Sequence, residues 1–336
     1  MATMNEAQAD RPLSAGVVVV GCGSWGRNIA RCLAQMGALV AVADQQHDAA
    51  QAVARSHGVP AVSLRSALSG CGAAAVAIAT PPESHAALVA EALAAGHHVF
   101  VEKPLTLDID TARKLATQAN AANRVLMTGH VLRYHPAFEA LERLVAEGRL
   151  GRLLRIHASR LGPGAIRARE DAMWCLAPHD VSMVLALAGA RPERVTASGE
   201  YLLRAEIADA ATLQLGFAGG LAAMIQVSWL HPFKEQRLTV VGETAMAVFD
   251  DRLGWGEKLR IYPHRLVRGA QPAIRPAEPE ALPLDEAEPL AAQCRHFLDC
   301  IATGRTPRTG PDEALAVMDV LSRGAAALTA TQREFA

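Results

Sequence analysis

The chain of 336 residues carries a formal net charge of −1, and its lysines and arginines are spread along the whole length. This distribution provides no basic stripe for nucleic acid or for an anionic membrane surface, so we expect neither as a partner. Hydrophobic residues make up 51% and charged residues 20%, the balance of a globular protein, and the length suits about two domains.

Targeting and metal signals are weak in this sequence. The first fifteen residues hold no apolar secretion signal, and no apolar run approaches the ~20 residues that span a bilayer, so we expect a cytoplasmic protein. The six cysteines have no C-x-x-C spacing and are expected to be reduced thiols. His130 and His135 have no carboxylate at a convincing spacing, so no metal is assigned.

The segment 15–30 predicts a buried strand, a tight turn and a helix. Residues 17–20 are four valines, and the β-branched run favours a strand. Gly21, Gly23 and Gly26 then form a G-x-G-x-x-G pattern, which suits a sharp turn, close approach to a pyrophosphate and tight packing of the helix on the strand. The start of this helix is expected to bind the phosphates of a dinucleotide.

The second apolar run ends in a carboxylate suited to a ribose. Asp44 follows the run 38–43 and lies 23 positions after Gly21, where it would accept hydrogen bonds from the adenosine ribose. Gln45 and Gln46 follow without a nearby arginine for a 2′-phosphate, so we expect NAD(H) rather than NADP(H). An ordinary βαβ unit without a ligand is the alternative interpretation.

Helices and strands alternate through the rest of the first domain, residues 1–128. The pattern predicts helices over 47–57, 64–68, 83–95 and 108–123, and strands near 61 and over 73–79, 97–101 and 124–128. Such alternation is typical of a doubly wound, parallel Rossmann sheet. Ligands bind at the carboxyl ends of such strands, so we expect these residues to rim one crevice: Gly21, Asp44, Thr80, Lys103 and Gly129.

Residues 129–336 are predicted to form a second domain for substrate binding and oligomerisation. Alternating residues from Arg152 onward indicate an α+β domain with an open, mostly antiparallel sheet, with strands near 154–159, 195, 212, 222–227, 238–241 and 245–249. A helix is predicted over 171–187, an extended surface arm over 266–290, and two helices over 290–302 and 311–329. These C-terminal helices, within residues 290–330, are expected to be able to pack back toward the first domain. The apolar run 222–227 predicts a homodimer or homotetramer through this sheet.

Lys103 and His179 are the candidate catalytic residues. Lys103 follows a buried strand at the mouth of the crevice, where it can hydrogen-bond a substrate hydroxyl or the nicotinamide ribose; the alternative is a surface lysine. His179 lies in an apolar helical stretch and is either the acid–base group for hydride transfer or a core histidine.

Arginines after the first strand of the second domain are candidates for holding an anionic group of the substrate. Arg160, Arg167 and Arg169 can each make bidentate contacts, although arginines at strand ends are often only solvated. Tyr134 and His135 are the next candidates for contact with the substrate.

Three motifs resemble the glucose–fructose oxidoreductase/inositol dehydrogenase (Gfo/Idh/MocA) family in order and spacing: 21–26 (GCGSWG), 79–85 (ATPPESH) and 102–104 (EKP). The resemblance implies a Rossmann domain, a C-terminal domain that oligomerises through an open sheet, and Lys103 with His179 as the catalytic pair. It also implies NAD contacts from Gly21, Gly23, Ser24, Trp25, Gly26, Asp44, Thr80, Pro81, His85, Glu102 and Lys103.

Within the family, the stretches 159–161, 174–180 and 229–235 resemble the nucleotide-sugar branch, whose best-known members oxidise UDP-N-acetylglucosaminuronic acid at C3. The resemblance implies such a substrate here, with Asp180 among its contacts. One departure is Cys175, which stands where the inositol-type branch has an aspartate. A dehydrogenase of a free sugar or inositol-like polyol, a reductase of a small imine, and a non-catalytic NAD-binding regulatory protein are the alternatives.

Overall fold

The computed structural model describes residues 15–69, 71–164, 166–168, 170–267 and 269–335. The chain forms two compact units. Unit 1 contains the residues up to Gly129 together with Leu290–Asp312, and unit 2 contains His130–Pro289 and the residues from Glu313 onward. Each unit is built on its own β-sheet.

The elements of the first 128 residues alternate between strand and helix. In chain order they are β1 Val17–Val20, α1 Ser24–Gln35, β2 Leu39–Ala43, α2 His47–His57, α3 Leu64–Ser69, β3 Ala75–Ile78, α4 His85–Ala94, β4 His98–Val101, α5 Ile109–Ala121 and β5 Leu126–Thr128. Among the described residues, the five strands form a parallel sheet in the order β2-β1-β3-β4-β5. The predicted Rossmann sheet is therefore confirmed.

Burial explains why these short apolar runs are strands. The side chains of β1 and β3 are all buried, as expected for strands covered by helices on both faces. Asp108 caps α5 by accepting a hydrogen bond from the amide of Thr111 at 2.8 Å. The predicted strand near Ala61 is only an isolated bridge to Val42, and the predicted helix 83–95 is a 3₁₀ turn over Pro82–Ser84 followed by α4.

The remaining elements begin after His130. In chain order they are α6 Pro136–Ala146, β6 Leu153–Pro163, α7 Ala172–Ala188, β7 Arg194–Glu200, β8 Ala210–Gly216, β9 Ala222–Ser228, β10 Leu230–Gly242, β11 Ala245–Asp250, β12 Leu259–Val267, β13 Ala273–Pro276, β14 Glu280–Ala281, α8 Pro289–Thr303 and α9 Pro311–Phe335. The described part of unit 2 has a nine-stranded sheet in the order β13-β12-β11-β10-β6-β9-β8-β7, with β14 beside β12. Among the strand pairs described in this second sheet, only the β6–β9 pair is parallel.

Helix α7 packs on the inner face of this sheet, against β6, β8 and β9. Every second residue of β9 faces the core, so Ala223, Ile225 and Val227 are buried while Ala222 and Gln226 are exposed. The predicted open, mostly antiparallel sheet is confirmed.

Helix α8 belongs to unit 1 and covers the edge of its sheet. Gln293 and Thr309 donate side-chain hydrogen bonds to the carbonyl of Thr128 at 3.4 and 2.8 Å. The ring of Phe297 meets that of Phe100 edge-on, with 5.9 Å between centroids. These contacts attach a segment from the end of the chain to the last strand of the first sheet.

Two regions of unit 2 differ from the prediction. The arm predicted over 266–290 is partly a sheet extension, because β13 and β14 both pair with β12. Helix α6 was not predicted at all, although Pro136 occupies its first turn. Within the described residues, the structure contains no helix that is both long and apolar enough to cross a membrane.

Candidate active site

The carboxyl ends of β1, β2 and β3 in unit 1 open into a cleft of about 590 Å³. Residues predicted to bind the cofactor that line it are Gly21, Gly23, Ser24, Trp25, Asp44, Thr80 and Pro81. Its lining also includes Gln45, Gln46, Leu64, Glu83, Ser84 and Leu88, which were not predicted as contacts. Leu64 and Leu88 give the cleft apolar surface that no glycine or charge motif indicates.

The three glycines have different physical roles in the turn before α1. Gly21 has φ +95°, a conformation that favours glycine. A Cβ at position 26 would lie 1.7 Å from the carbonyl oxygen of Gly21, so only glycine lets the helix pack this closely. Gly23 is exposed, and a Cβ there would meet nothing within 4 Å, which leaves open space above the backbone for a ligand.

The start of α1 is suited to an anion. No side chain in the described part of the chain caps this helix, whose N-cap is Gly23. Its first N–H groups and the positive end of its dipole are therefore available to a pyrophosphate. The open backbone, the uncapped helix and the cleft together fit a dinucleotide.

Asp44 is held firmly at the end of β2. Its two carboxylate oxygens accept hydrogen bonds from the backbone amides of Cys22 at 2.6 Å and Gln46 at 2.7 Å. The carboxylate joins the glycine turn to the end of β2 and still lines the cleft. A 2′-phosphate placed against it would meet a fixed negative charge.

We expect wild-type protein to bind NADH at least ~10-fold more tightly than NADPH, because like charges repel in the cleft. Asp44→Asn keeps hydrogen-bonding capacity but removes the charge, and it should narrow this difference. Fluorescence titration of both cofactors measures the ratio. Binding of NADPH as tightly as NADH by the wild type would contradict the assignment of Asp44.

The loop that carries Lys103 is held in place by the buried side chain of His85. The ring of His85 is fully buried, and its two nitrogens lie 2.8 Å from the carbonyl of Pro104 and 2.9 Å from that of Thr80. Burial lowers the pKa of His85, and the neutral ring donates its single N–H to one of these carbonyls. His85 thus joins the loops after β3 and β4 and does not line the cleft.

Glu102 and Lys103 also lie outside the lining of the cleft, although Lys103 is half-buried. The carboxylate of Glu102 packs on Gly129, where a Cβ would come within 2.8 Å of it. A glycine after β5 therefore leaves room for the Glu102-Lys103 turn. Contact of these two residues with NAD stays a prediction.

His179 lies in the first half of α7 and is half-buried. The helix is capped by Asp171, whose side chain accepts a hydrogen bond from the amide of Trp174 at 2.8 Å. Pro178 lies inside the helix, which nevertheless continues to Ala188. Gly189 then caps the helix in the left-handed conformation. The ring of His130 meets that of His179 edge-on, with 6.4 Å between centroids and 82° between planes.

A buried carboxylate lies behind His130. Nδ1 of His130 is 2.9 and 2.8 Å from the two oxygens of Glu313, and the hydroxyl of Ser182 donates a further hydrogen bond to Glu313. Glu313 is 183 residues from His130 along the chain. Sequence reasoning missed it because no local motif marks it.

Arg160 is already paired. Its Nε and Nη2 donate to the two oxygens of Asp180 at 2.6 and 3.0 Å, and only 12% and 2% of the two side chains are exposed. Burial opposes the guanidinium charge, but Asp180 outweighs it and raises the pKa of Arg160. Because the pair is nearly neutral, Arg160 is a weaker candidate for holding an anionic group than the sequence suggested.

Tyr134 and His135 are buried, with 2% and 3% of their surfaces exposed. His135 accepts a hydrogen bond from the amide of Ala137 at 3.1 Å and so caps α6. Its Nε2 lies 3.4 Å from Asp251, and its ring stacks on Trp255 at 5.4 Å. These contacts give His135 a structural role in unit 2, while a substrate contact stays a prediction.

Arg167 is exposed near its neighbour Glu170, with 3.6 Å between Nε and the carboxylate. Such a surface pair contributes little to stability and leaves the guanidinium accessible. Arg169, the third predicted arginine, lies outside the described residues.

Cys22, inside the glycine turn, is a packing residue. Its thiol is buried, and burial together with the nearby Asp44 raises its pKa to about 11. The thiol therefore stays protonated near neutral pH and is a poor nucleophile. Because the side chain of Cys22 is buried inside the glycine turn, this position suits a small apolar residue.

Two family models match this chain. Residues 15–130 match the model described as "Oxidoreductase family, NAD-binding Rossmann fold", and residues 138–248 match the GFO/IDH/MocA C-terminal domain. The chain therefore belongs to the Gfo/Idh/MocA family, a class of NAD-dependent oxidoreductases. NAD is its cofactor, and the cleft of unit 1 has the backbone and the carboxylate that fit it.

The chain is also similar to particular proteins of known activity or structure. The chain is 32% identical over 291 residues to UDP-N-acetylglucosamine 3-dehydrogenase of Acidithiobacillus ferrooxidans, covering 85% of this chain and 88% of that protein. A solved structure of that enzyme has a TM-score of 0.84, with 28% identity and coverage of 95% and 99%. Inositol 2-dehydrogenase of Rhizobium meliloti is 30% identical over 215 residues, 61% of this chain and 65% of that protein. GenD2 from gentamicin A biosynthesis, solved with NAD, has a TM-score of 0.80, with 27% identity and coverage of 94% of both chains.

Proposed function

We propose that this protein oxidises the C3 hydroxyl of a UDP-N-acetylhexosamine with NAD. The observation that carries the proposal is the similarity to UDP-N-acetylglucosamine 3-dehydrogenase, which extends through both units and most of both chains. The NAD-type cleft at the glycine turn is consistent with it. An enzyme that removes hydride from a secondary hydroxyl must also remove the hydroxyl proton, so acid–base residues are required.

Lys103 and His179 are the residues that we propose for this proton chemistry. Bound NAD supplies the hydride acceptor. The ammonium group of Lys103 hydrogen-bonds the reacting oxygen and stabilises the negative charge that develops there. His179 accepts the hydroxyl proton as hydride leaves the carbon, so the substrate loses one proton and one hydride in total. The anchored turn at Pro104 and the capped helix α7 hold the two backbones in place.

The structure favours an uncharged sugar over a uronate. The resemblance to the nucleotide-sugar branch implied UDP-N-acetylglucosaminuronic acid, and Arg160 was a candidate for holding an anionic group such as its carboxylate. Arg160 instead makes two short hydrogen bonds to Asp180. Binding a uronate there would require breaking a partly buried pair, which typically costs several kcal/mol. The sugar of a UDP-N-acetylhexosamine has no carboxylate, so it can bind while the Arg160–Asp180 pair stays intact.

A substrate panel tests the proposal. UDP-N-acetylglucosamine, UDP-N-acetylgalactosamine, their uronates, UDP-glucose, myo-inositol and scyllo-inositol are each incubated with protein and NAD, and NADH absorbance is followed. We expect kcat/KM for one UDP-N-acetylhexosamine to exceed that for either inositol by ~100-fold or more, because the nucleotide adds contacts a polyol lacks. Higher kcat/KM for an inositol or for a uronate would refute the proposed substrate.

A free polyol is the second candidate substrate. The similarity to inositol 2-dehydrogenase supports it, although that match covers a smaller share of both chains. Cys175, four residues before His179, is the feature that separates this chain from the inositol-type pattern. The panel contains both substrate classes, so one experiment decides between them.

Association through the sheet of unit 2 stays a prediction. The run 222–227 looked too apolar for water, but the apolar residues Ala223, Ile225 and Val227 point into the core of the same chain. The argument for a homodimer or homotetramer therefore depends on the family resemblance rather than on this run.

A further inference from the structure

A cluster of polar side chains from three separate segments lies inside unit 2. His130 follows β5, Ser182 lies on α7 one turn after His179, and Glu313 is near the start of α9. The side chains of His130 and Glu313 are only 3% and 14% exposed. Burying a carboxylate is costly unless it is paired and hydrogen-bonded, so the position of Glu313 requires an explanation.

The contacts of Glu313 keep it ionised. Burial raises its pKa, but the nearby His130, the hydrogen bonds from His130 and Ser182, and the charge of Arg133 outweigh burial and lower it. An ionised carboxylate can only accept hydrogen bonds, so Nδ1 of His130 must carry the proton that it shares with Glu313. The carboxylate therefore fixes both the orientation and the tautomer of the His130 ring.

His130 in turn contacts His179. The two rings meet edge-on with centroids 6.4 Å apart. Because Glu313 holds one side of the His130 ring, that ring is fixed in orientation and restricts the position of the His179 ring beside it. Only 14% of the Glu313 side chain is exposed, so its negative charge is screened less by water than a surface charge would be.

We propose that Glu313 and His130 are positioning residues for His179: Glu313 orients His130, His130 holds the ring of His179, and the carboxylate charge stabilises the proton that His179 accepts. The catalytic consequence rests on the proposed role of His179 as proton acceptor. No proton passes to Glu313, which remains a hydrogen-bond acceptor throughout.

Two arginines near α7 in the described part of the chain are each paired with a carboxylate. Arg133, from the turn before α6, donates to Glu142 on α6 at 2.9 Å, and Arg160 on β6 is bound to Asp180. The residues of β8 and β9 that face the helix are apolar, for example Leu213, Ile225 and Val227. Glu313 is thus the carboxylate in this cluster whose charge acts on the two histidines.

Glu313→Gln tests the proposal because glutamine has nearly the same shape and retains an acceptor but has no charge. We expect kcat to fall ~10-fold while KM stays within about 2-fold of wild type. The reason is that the charge of Glu313 stabilises the transition state, in which His179 gains a proton, and not the bound substrate. The rising limb of the pH–rate profile for oxidation should move to lower pH by about half a unit to one unit. The direction follows because a histidine without a nearby negative charge loses its proton more easily.

A second measurement needs no substrate. Imidazole NMR of the ¹⁵N-histidine-labelled full chain follows the titration of His179, identified by the signal lost in His179→Asn. We expect a lower midpoint in Glu313→Gln and a midpoint near that of wild type in Glu313→Asp, which retains the charge. Asp319→Asn is the matched control, because Asp319 lies on the same helix, partly exposed and 3.4 Å from Arg323. It should leave both the profile and the midpoint unchanged.

The outcomes separate this inference from the proposed function. An unchanged His179 midpoint in Glu313→Gln overturns the positioning role, whatever the substrate. Wild-type protein without activity on any nucleotide sugar refutes the proposed function, and the NMR titration still decides the role of Glu313. If Glu313→Gln does not fold, the Glu313→Asp and wild-type titrations are compared, and a midpoint displaced by more than about one unit in Glu313→Asp contradicts an effect of charge.

Discussion

Lys103→Met and His179→Asn are each expected to lower kcat by ~100-fold or more while NADH binding remains within about 2-fold of wild type. General acid–base groups typically contribute at least that factor, and both substitutions remove the proton chemistry without touching the residues that line the NAD cleft. If both side chains act on one hydroxyl, as we propose, the double variant should lose much less than the product of the two single effects.

Steady-state kinetics with the preferred substrate and fluorescence titration of NADH provide these values. Asp319→Asn, at a partly exposed position of α9, is a control for unspecific loss of activity. A His179→Asn variant with wild-type kcat and an unchanged pH profile would return His179 to the role of a core histidine. Strictly multiplicative losses would show that the two residues contribute independently of each other.

Gly26→Ala is expected to destabilise unit 1 by ~3 kcal/mol or more, a drop of roughly 10 °C in the melting temperature. The added Cβ would lie 1.7 Å from the carbonyl oxygen of Gly21, and this backbone atom cannot rotate away. Helix α1 must then move away from β1, which opens its apolar packing and displaces the N–H groups that we expect to bind phosphate. Thermal unfolding followed by circular dichroism measures the loss.

Gly23→Ala separates cofactor binding from stability in the same turn. A Cβ at this position meets nothing within 4 Å, so the melting temperature should stay within ~2 °C of wild type. The methyl group would occupy the space through which the pyrophosphate approaches the backbone, and the Kd for NADH should rise ~10-fold or more. If both variants melted like the wild type, the close packing at Gly26 would be contradicted.

Local signals in the sequence predicted most of unit 1. The valine run of β1, the acidic cap of α5 and the glycine turn each depend on residues within a few positions of one another, so their structures follow from the local sequence. The predicted strand near Ala61 was wrong because a single bridge to Val42 satisfies that segment. In unit 2, the prolines of 266–290 predicted an extended surface arm, and all four residues of β13 are exposed, yet the backbone of β13 pairs with β12.

Residues of the candidate site could be predicted only where a local sequence motif contains them. The spacing of Asp44, Gly21 and Gly23 predicted that they meet at one cleft, and all three line it, while their contacts with the cofactor stay a prediction. The pairing of Arg160 with Asp180 could not be read from the sequence, because it joins a strand to a helix 20 residues later. Glu313 is 183 residues from His130, and only the folded sheet and α9 bring the two together.

Transfer of deuterium from carbon to cofactor tests the central claim most directly. UDP-N-acetylglucosamine carrying deuterium at C3 is incubated with the protein and NAD, and the reduced cofactor is analysed by mass spectrometry. We predict NADH that contains one deuterium, a slower rate than with unlabelled sugar, and formation of the deuterated NADH that is ~100-fold slower in His179→Asn. NADH formed without deuterium, or no NADH from any UDP-sugar alongside turnover of an inositol, would contradict it.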